Sequence, residues 1–148
     1  MLSQKCQYGL RAVFELARHY GKGPIKIADI AAAQAIPPRF LEVILSQLKQ
    51  GGFVDSRRGA SGGYELKRSP GDLAVGEVIR FIEGPIGPVM CLTGQDQDNC
   101  RLRGNCVFLG MWEKAGKAIA QVYDGTTFGG LVEEDRLRKR DYVSSYAI

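Results

Sequence analysis

Three cysteines, Cys91, Cys100 and Cys106, lie in a polar stretch that carries Gln95, Asp96, Gln97, Asp98 and Asn99 before the second and Arg101, Arg103 and Asn105 before the third. Cysteines that only pack a core sit among apolar neighbours, so these read as an exposed thiol group that binds a metal or responds to oxidants. Eight residues separate the first two cysteines and five the last two. The close C-x-x-C pairs of structural zinc sites and the dense cysteine run of a ferredoxin are therefore both missing, although a zinc-stabilised site and a metal-free thiol sensor stay open. Cys6 reads first as a buried, inert thiol on the first helix and second as a possible additional ligand, Asp96 and Asp98 are further possible ligands through oxygen, and His19, the one histidine, reads as a surface residue. A chain of 148 residues buries a core without disulfides, and the thiols are expected to be reduced in the cytoplasm.

Other chemistries find no residues to run them. There is no Gly-rich phosphate loop after a strand and no Ser or Cys nucleophile motif, so neither an enzyme nor a small-molecule substrate is expected. No run of about 18 apolar residues predicts a membrane span, and the first residues lack the apolar stretch of a signal peptide. The net charge of +4 is unevenly divided: residues 1–70 hold 11 Lys and Arg against 5 Asp and Glu, the remainder 9 against 11. A basic first half points to an anionic partner, or to a solvated charged face.

The elements that must position these residues follow from periodicity. Leu10, Val13, Phe14 and Ala17 predict a helix over about 5–20, ended by Gly21. A second helix is predicted over 27–34 and stops ahead of Ala35-Ile36-Pro37-Pro38, because a residue before proline is driven out of helical geometry. Pro38 starts a third helix, with Leu41, Ile44, Leu45 and Leu48 inward, Arg39, Glu42, Val43, Ser46, Gln47 and Lys49 outward, and Gly51-Gly52 as its stop. Phe53 to Arg57 and Tyr64 to Leu66, on either side of Arg58-Gly59-Ala60-Ser61-Gly62-Gly63, read as a hairpin. Val75, Val78, Ile79 and Ile82 mark a fourth helix closed by Gly84-Pro85, and the cysteine loop covers about 86–106. A fifth helix over about 107–123 carries Phe108, Trp112, Ala115, Ile119 and Val122 in a coiled-coil-like seam, with Asp124-Gly125 as its stop. That seam either pairs with a second copy or completes the monomer core. Thr126 to Glu134 adds a short turn of helix, and the charged tail 133–148 is expected to be partly disordered.

The fold class expected is mainly α with a small β-hairpin wing: a winged helix-turn-helix followed by a long dimerisation helix. Residues 1–84 form the DNA-binding domain, 85–106 the cysteine loop, 107–132 the dimerisation helix and following turn, and 133–148 the tail. Recognition helices present side chains to base edges while cations contact phosphates. Pro38, Arg39 and Glu42 at the start of the third helix suit the major groove, with Arg to guanine or phosphate and Glu accepting from a cytosine amine. Arg57, Arg58, Gly59 and Ser61 suit a wing entering a narrow minor groove. Read without DNA, the same residues are ordinary surface charges and a flexible hairpin tip. A two-fold homodimer sets two such helices in successive major grooves and implies a pseudo-palindromic double-stranded operator.

Tyr8-Gly9-Leu10-Arg11-Ala12, Ile27-Ala28-Asp29-Ile30-Ala31, Ile36-Pro37, Phe40-Leu41-Glu42, Leu48, Gly52-Phe53-Val54, Arg58-Gly59, Gly62-Gly63-Tyr64 and Val75-Gly76-Glu77-Val78-Ile79 resemble the Rrf-two family of bacterial transcriptional regulators over about residues 1 to 130. The resemblance implies a homodimeric winged-helix protein with Arg58 as the wing arginine. It further implies that Cys91, Cys100 and Cys106 hold an iron-sulfur cluster, with a two-iron form favoured, that senses iron, cluster or redox status. In some cluster-binding members a histidine ligand falls where Leu109 stands here, and in others an acidic ligand from the second subunit falls at Gln7, beside Cys6. Cluster-free members that regulate by thiol chemistry or cysteine metabolism are the alternative within the same family.

Overall fold

The computed structural model describes residues 1–94 and 99–146, the side chains of 142–146 excepted. Helix α1 (Gln4–Arg18) starts where Ser3 caps it, the hydroxyl accepting from the Cys6 amide at 3.1 Å. Its buried face, Cys6, Gly9, Ala12, Val13, Glu15, Leu16 and Ala17, is the central wall of the core. Helices α2 (Ile27–Gln34) and α3 (Pro38–Gln50) follow, joined by a turn in which Ala35 takes a left-handed conformation at φ 50°. Strands β1 (Val54–Arg57) and β2 (Gly63–Leu66) pair antiparallel, Val54 opposite Leu66 and Arg57 opposite Gly63. Ile25 adds an outer bridge to Tyr64 through two backbone hydrogen bonds of 2.8 Å, which fastens the hairpin to the approach of α2. Helix α4 (Val75–Glu83) closes this unit, and α5 (Leu109–Gly125) and α6 (Phe128–Tyr146) complete the chain.

One core serves the helix-turn-helix and the wing together. Leu16, Ile30, Leu41, Leu45, Leu48, Val54, Leu73, Val78 and Ile79 are each exposed by 1% or less. One charged group is buried among them: the Glu15 carboxylate, whose isolation would be costly without partners. It accepts from Arg18 Nη1 at 3.0 Å and Gln34 Nε2 at 2.8 Å, and His19 Nε2 lies 3.2 Å away. Gln34 closes α2, so this buried carboxylate locks α2 onto α1.

Two expectations at the C-terminal end need correction. Helix α5 continues through Asp124 and Gly125, with Thr126 Oγ1 donating to the Val122 carbonyl at 2.7 Å. Residues 126–134 are not a short turn followed by a disordered tail, because α6 is one helix from Phe128 to Tyr146. Its first turns carry Leu131 and Val132 against α1 and bury Phe128 to 1% exposure. Its next turns are laced by Glu133 with Arg136, Glu134 with Arg138 and Asp135 with Lys139 at 2.7, 2.7 and 3.0 Å. Charges at these spacings support a helix, whereas composition alone reads as disorder. Ala147 and Ile148, at the end of the predicted tail, lie outside the described residues.

The terminal helices are pinned to α4. Val75 N donates to Thr126 O at 2.8 Å and Phe128 N to Leu73 O at 3.0 Å, while Arg80 grips Asp124 through two hydrogen bonds of 2.6 and 2.9 Å. That guanidinium holds the Asp124 carboxyl below its ordinary range. Because Phe128 belongs to the core, Phe128→Ala is expected to lower the urea-unfolding free energy by about 3–5 kcal/mol. Leu137→Ala, at a position 42% exposed on the same helix, is expected to change it by less than about 0.5 kcal/mol.

Candidate nucleic-acid interface and cysteine loop

Helix α3 is divided by its own periodicity. Leu41, Ile44, Leu45 and Leu48 are exposed by no more than 2%, and their burial turns Pro38, Arg39, Phe40, Glu42, Val43 and Ser46 out to solvent. Pro38 fills the first helical position, where a missing N–H costs nothing, so the chain enters the helix with this polar turn foremost. Phe40 lies against the Tyr8 ring, centroids 6.3 Å apart, and the Arg11 guanidinium sits 5.0 Å over the other ring of that pair, Tyr8. The sequence reading missed Phe40, Tyr8 and Arg11 as a surface group. An aromatic residue outside the i, i+3, i+4 stripe of α3 was the available signal.

The wing is held rigid up to its tip. Lys49 Nζ donates to Ser56 Oγ at 2.6 Å and joins the end of α3 to β1, and Arg57 pairs across the strands with Glu65 at 3.0 Å. Arg58, Gly59 and Ser61 are exposed beyond that pair, and among the described residues Arg58 has no hydrogen-bond or ion-pair partner. Gly59 turns at φ 103° and Gly62 accepts no side chain, since a Cβ there would lie 2.2 Å from the Arg57 carbonyl oxygen. Of the two adjacent wing arginines, Arg58 is thus the one without an ion-pair partner among the described residues, while Arg57 pairs within the hairpin.

The cysteines are distributed unevenly. Cys91 lies in a single 3-10 turn, Met90–Leu92, and is half-buried, as is Cys106 just ahead of α5, whereas Cys100 is exposed. None of the four cysteines forms a disulfide. Among the described residues no three His, Cys, Asp or Glu side chains come close enough to hold a metal. Asp96 and Asp98, the possible oxygen ligands, lie outside the described residues. Cys6 is completely buried in the α1 face of the core. Burial, reinforced by the Glu83 carboxylate, pushes its thiol up from 9.0 to about 11. Its protonated form therefore supports the fold fully below about pH 9, a contribution lost as pH rises through about 11. A thiol in that state is a poor metal ligand.

Helix α5 holds no buried residue. Trp112, Ala115 and Ile119 of the predicted seam are half-buried, while Phe108 and Val122 are 55% and 64% exposed, as are Val107 and Met111 at 88% and 50%. Trp112 is outside the monomer core.

A helix-turn-helix with a hairpin wing defines a DNA-binding regulator of the winged-helix class, and comparison with known proteins makes the assignment narrower. Residues 2–134 match the model of Rrf2, described as an iron-dependent transcriptional regulator. The chain belongs to the Rrf2 family of transcriptional regulators, and so is not an enzyme. It is 35% identical over 130 residues to the HTH-type transcriptional regulator CymR of Bacillus subtilis (strain 168), covering 88% of each chain. The solved structure of CymR, the global cysteine regulator of B. subtilis, is similar with a TM-score of 0.76 and 32% identity, over 90% of this chain and 97% of that one. That of T. potens IscR gives 0.71 and 34%, over 91% and 88%. Among the described residues no helix is long and apolar enough to cross a membrane.

Thiol labelling tests the different settings of the cysteines. With iodoacetamide at pH 8, where a thiol titrating near 11 is about one part in a thousand thiolate, Cys100 of the metal-free protein is expected to label first. Cys6 is expected to label only after denaturation, as followed by peptide mass mapping. Labelling of Cys6 at the rate of Cys100 in the folded protein would contradict its burial.

Proposed function

We propose that this chain is a cytoplasmic homodimeric transcriptional regulator that binds a pseudo-palindromic duplex operator and senses iron, cluster or redox status through its cysteine loop. The observation that carries the DNA reading is the exposed first turn of α3 on the same unit as the uncommitted Arg58 at the wing tip. Arg39 and Glu42 address base edges in the major groove, Pro38 sets the angle of entry, and Arg58, flanked by Gly59 and Ser61, enters the minor groove. Arg57 contributes mainly by holding the hairpin through Glu65. The apolar side of α5, with Phe108, Trp112, Ala115, Ile119 and Val122, pairs two copies, which covers the side chains that the single chain leaves exposed.

Cys91, Cys100 and Cys106 are the residues that hold an iron-sulfur cluster, a two-iron form favoured. Three thiols outside any disulfide are the soft donor set such clusters take, and the iron dependence in the family description supports the same reading. The described loop does not bring the three thiols together; ligand gathering and loop ordering are coupled to metal binding. When bound, the cluster supplies a redox- and iron-sensitive centre. The chain's own part is to link that loop to DNA: the loop leaves α4 in the core of the DNA-binding unit and enters α5 on the dimer side. Cys6 has no ligand role in this reading, because its thiol stays buried and protonated.

A cluster-free thiol sensor is the second reading. It is favoured by the dispersed thiols and by the likeness to CymR, a cysteine regulator. Anaerobic purification followed by a visible spectrum and iron and sulfide analysis separates the two. Colour with about two irons per chain, lost in Cys91→Ala, Cys100→Ala and Cys106→Ala, is expected; iron-free protein after reconstitution selects the second reading. For DNA, a duplex selected from a random pool serves as the operator. Arg58→Ala is expected to weaken operator binding and to make it less dependent on salt. Glu42→Ala is expected to reduce discrimination at one base pair per half-site by about 1–3 kcal/mol. Unchanged binding by both variants would refute this docking.

A further inference from the structure

Two of the side chains that α3 turns outward are apolar. Phe40 and Val43 are 57% and 56% exposed, one helical turn apart and on the same turns as Arg39 and Glu42. Single exposed apolar residues need no explanation, but this pair stands in the middle of the surface already read as the DNA-reading face. We propose that Val43, flanked by Phe40, reads thymine C5-methyl groups in the major groove, and so makes operator binding depend on a thymine in each half-site.

This inference rests on the docking of α3 given above and adds the base that its apolar residues recognise. In the major groove the thymine methyl is the apolar group that a valine can cover, and valine offers no hydrogen bond to the other base edges. Rigidity favours the contact. A β-branched side chain on a helix has essentially one χ1 rotamer, so Val43 loses little freedom on docking. Phe40 is already held against Tyr8, 6.3 Å between centroids, with Arg11 5.0 Å over the Tyr8 ring. A protein partner fits less well: two apolar side chains beside Arg39 and Glu42 make a small patch, on a half of the chain that carries 11 Lys and Arg against 5 Asp and Glu. That charge excess matches a polyanion.

The test uses the 148-residue chain and duplexes selected by it from a random pool. Each deoxythymidine of the selected site is replaced in turn by deoxyuridine, which removes the C5 methyl alone. At one or two thymines per half-site the parent protein is expected to lose about fourfold in affinity, the value of one buried methyl-sized group. In Val43→Ala that loss is expected to disappear, so that the variant binds both duplexes alike, with the melting temperature of the exposed-site variant close to the parent's. The proposal is overturned if no deoxyuridine costs the parent more than about twofold, or if Val43→Ala shows the same losses as the parent. Glu42→Ala and Arg58→Ala on the same duplexes separate the two levels. If Glu42→Ala binds weakly or with relaxed preference while the deoxyuridine scan is flat, α3 reads DNA and the methyl contact is wrong. If both bind like the parent, or the pool yields no bound duplex, the docking falls and the methyl contact with it.

Discussion

The one-sided burial of α3 is the constraint from which the functional surface follows. Leu41, Ile44, Leu45 and Leu48 face the core formed with α1 and β1, and a helix with its apolar stripe so committed has only one rotation available. Each inward leucine or isoleucine stabilises that rotation by roughly 1.5–3 kcal/mol. Arg39, Phe40, Glu42 and Val43 are outside as the geometric complement. The same packing sets the direction of the wing, since Phe53 N bonds to the Leu48 carbonyl at 3.0 Å and Lys49 to Ser56 at 2.6 Å. One packed face thus positions the exposed turn of α3 and the wing together.

Around that face the structure is joined by a few polar ties. Glu15 couples α1 to α2 through Gln34, and Arg80 with the Val75–Thr126 hydrogen bond couples α4 to the junction of α5 and α6. The cysteine loop is the long connection in this framework without a secondary element beyond one 3-10 turn among the described residues. A change in that loop therefore acts on α5, whose far end Asp124 holds to α4. In the proposed homodimer, such an arrangement links the cysteine loop to the spacing of two DNA-binding units through discrete contacts.

Much of this was legible in the sequence. The bounds of α2 and α3 follow from Ile27, Pro37-Pro38 and Gly51-Gly52, because proline and glycine act locally on the backbone. The hairpin was visible in Gly59, Gly62 and Gly63. What escaped was non-local or masked by composition. Phe128 reads as part of a short helical turn after Gly125, yet it is a core residue because the backbone of Leu73 captures its amide. Glu133 to Arg140 reads as a solvated tail, yet its charges alternate at helical spacing. The burial of Cys6 was legible from its place on the first helix, whereas the pairing of Arg57 with Glu65 depends on a cross-strand neighbour that no local pattern reveals.

In the proposed function one molecule couples the state of its cysteine loop to its grip on DNA. The most direct measurement compares, anaerobically and at fixed salt, the affinity of iron-loaded and metal-free protein for the same selected duplex. The coupling described here predicts a difference of about 5- to 150-fold, abolished in Cys100→Ala. Equal affinities for the loaded and metal-free forms would contradict it.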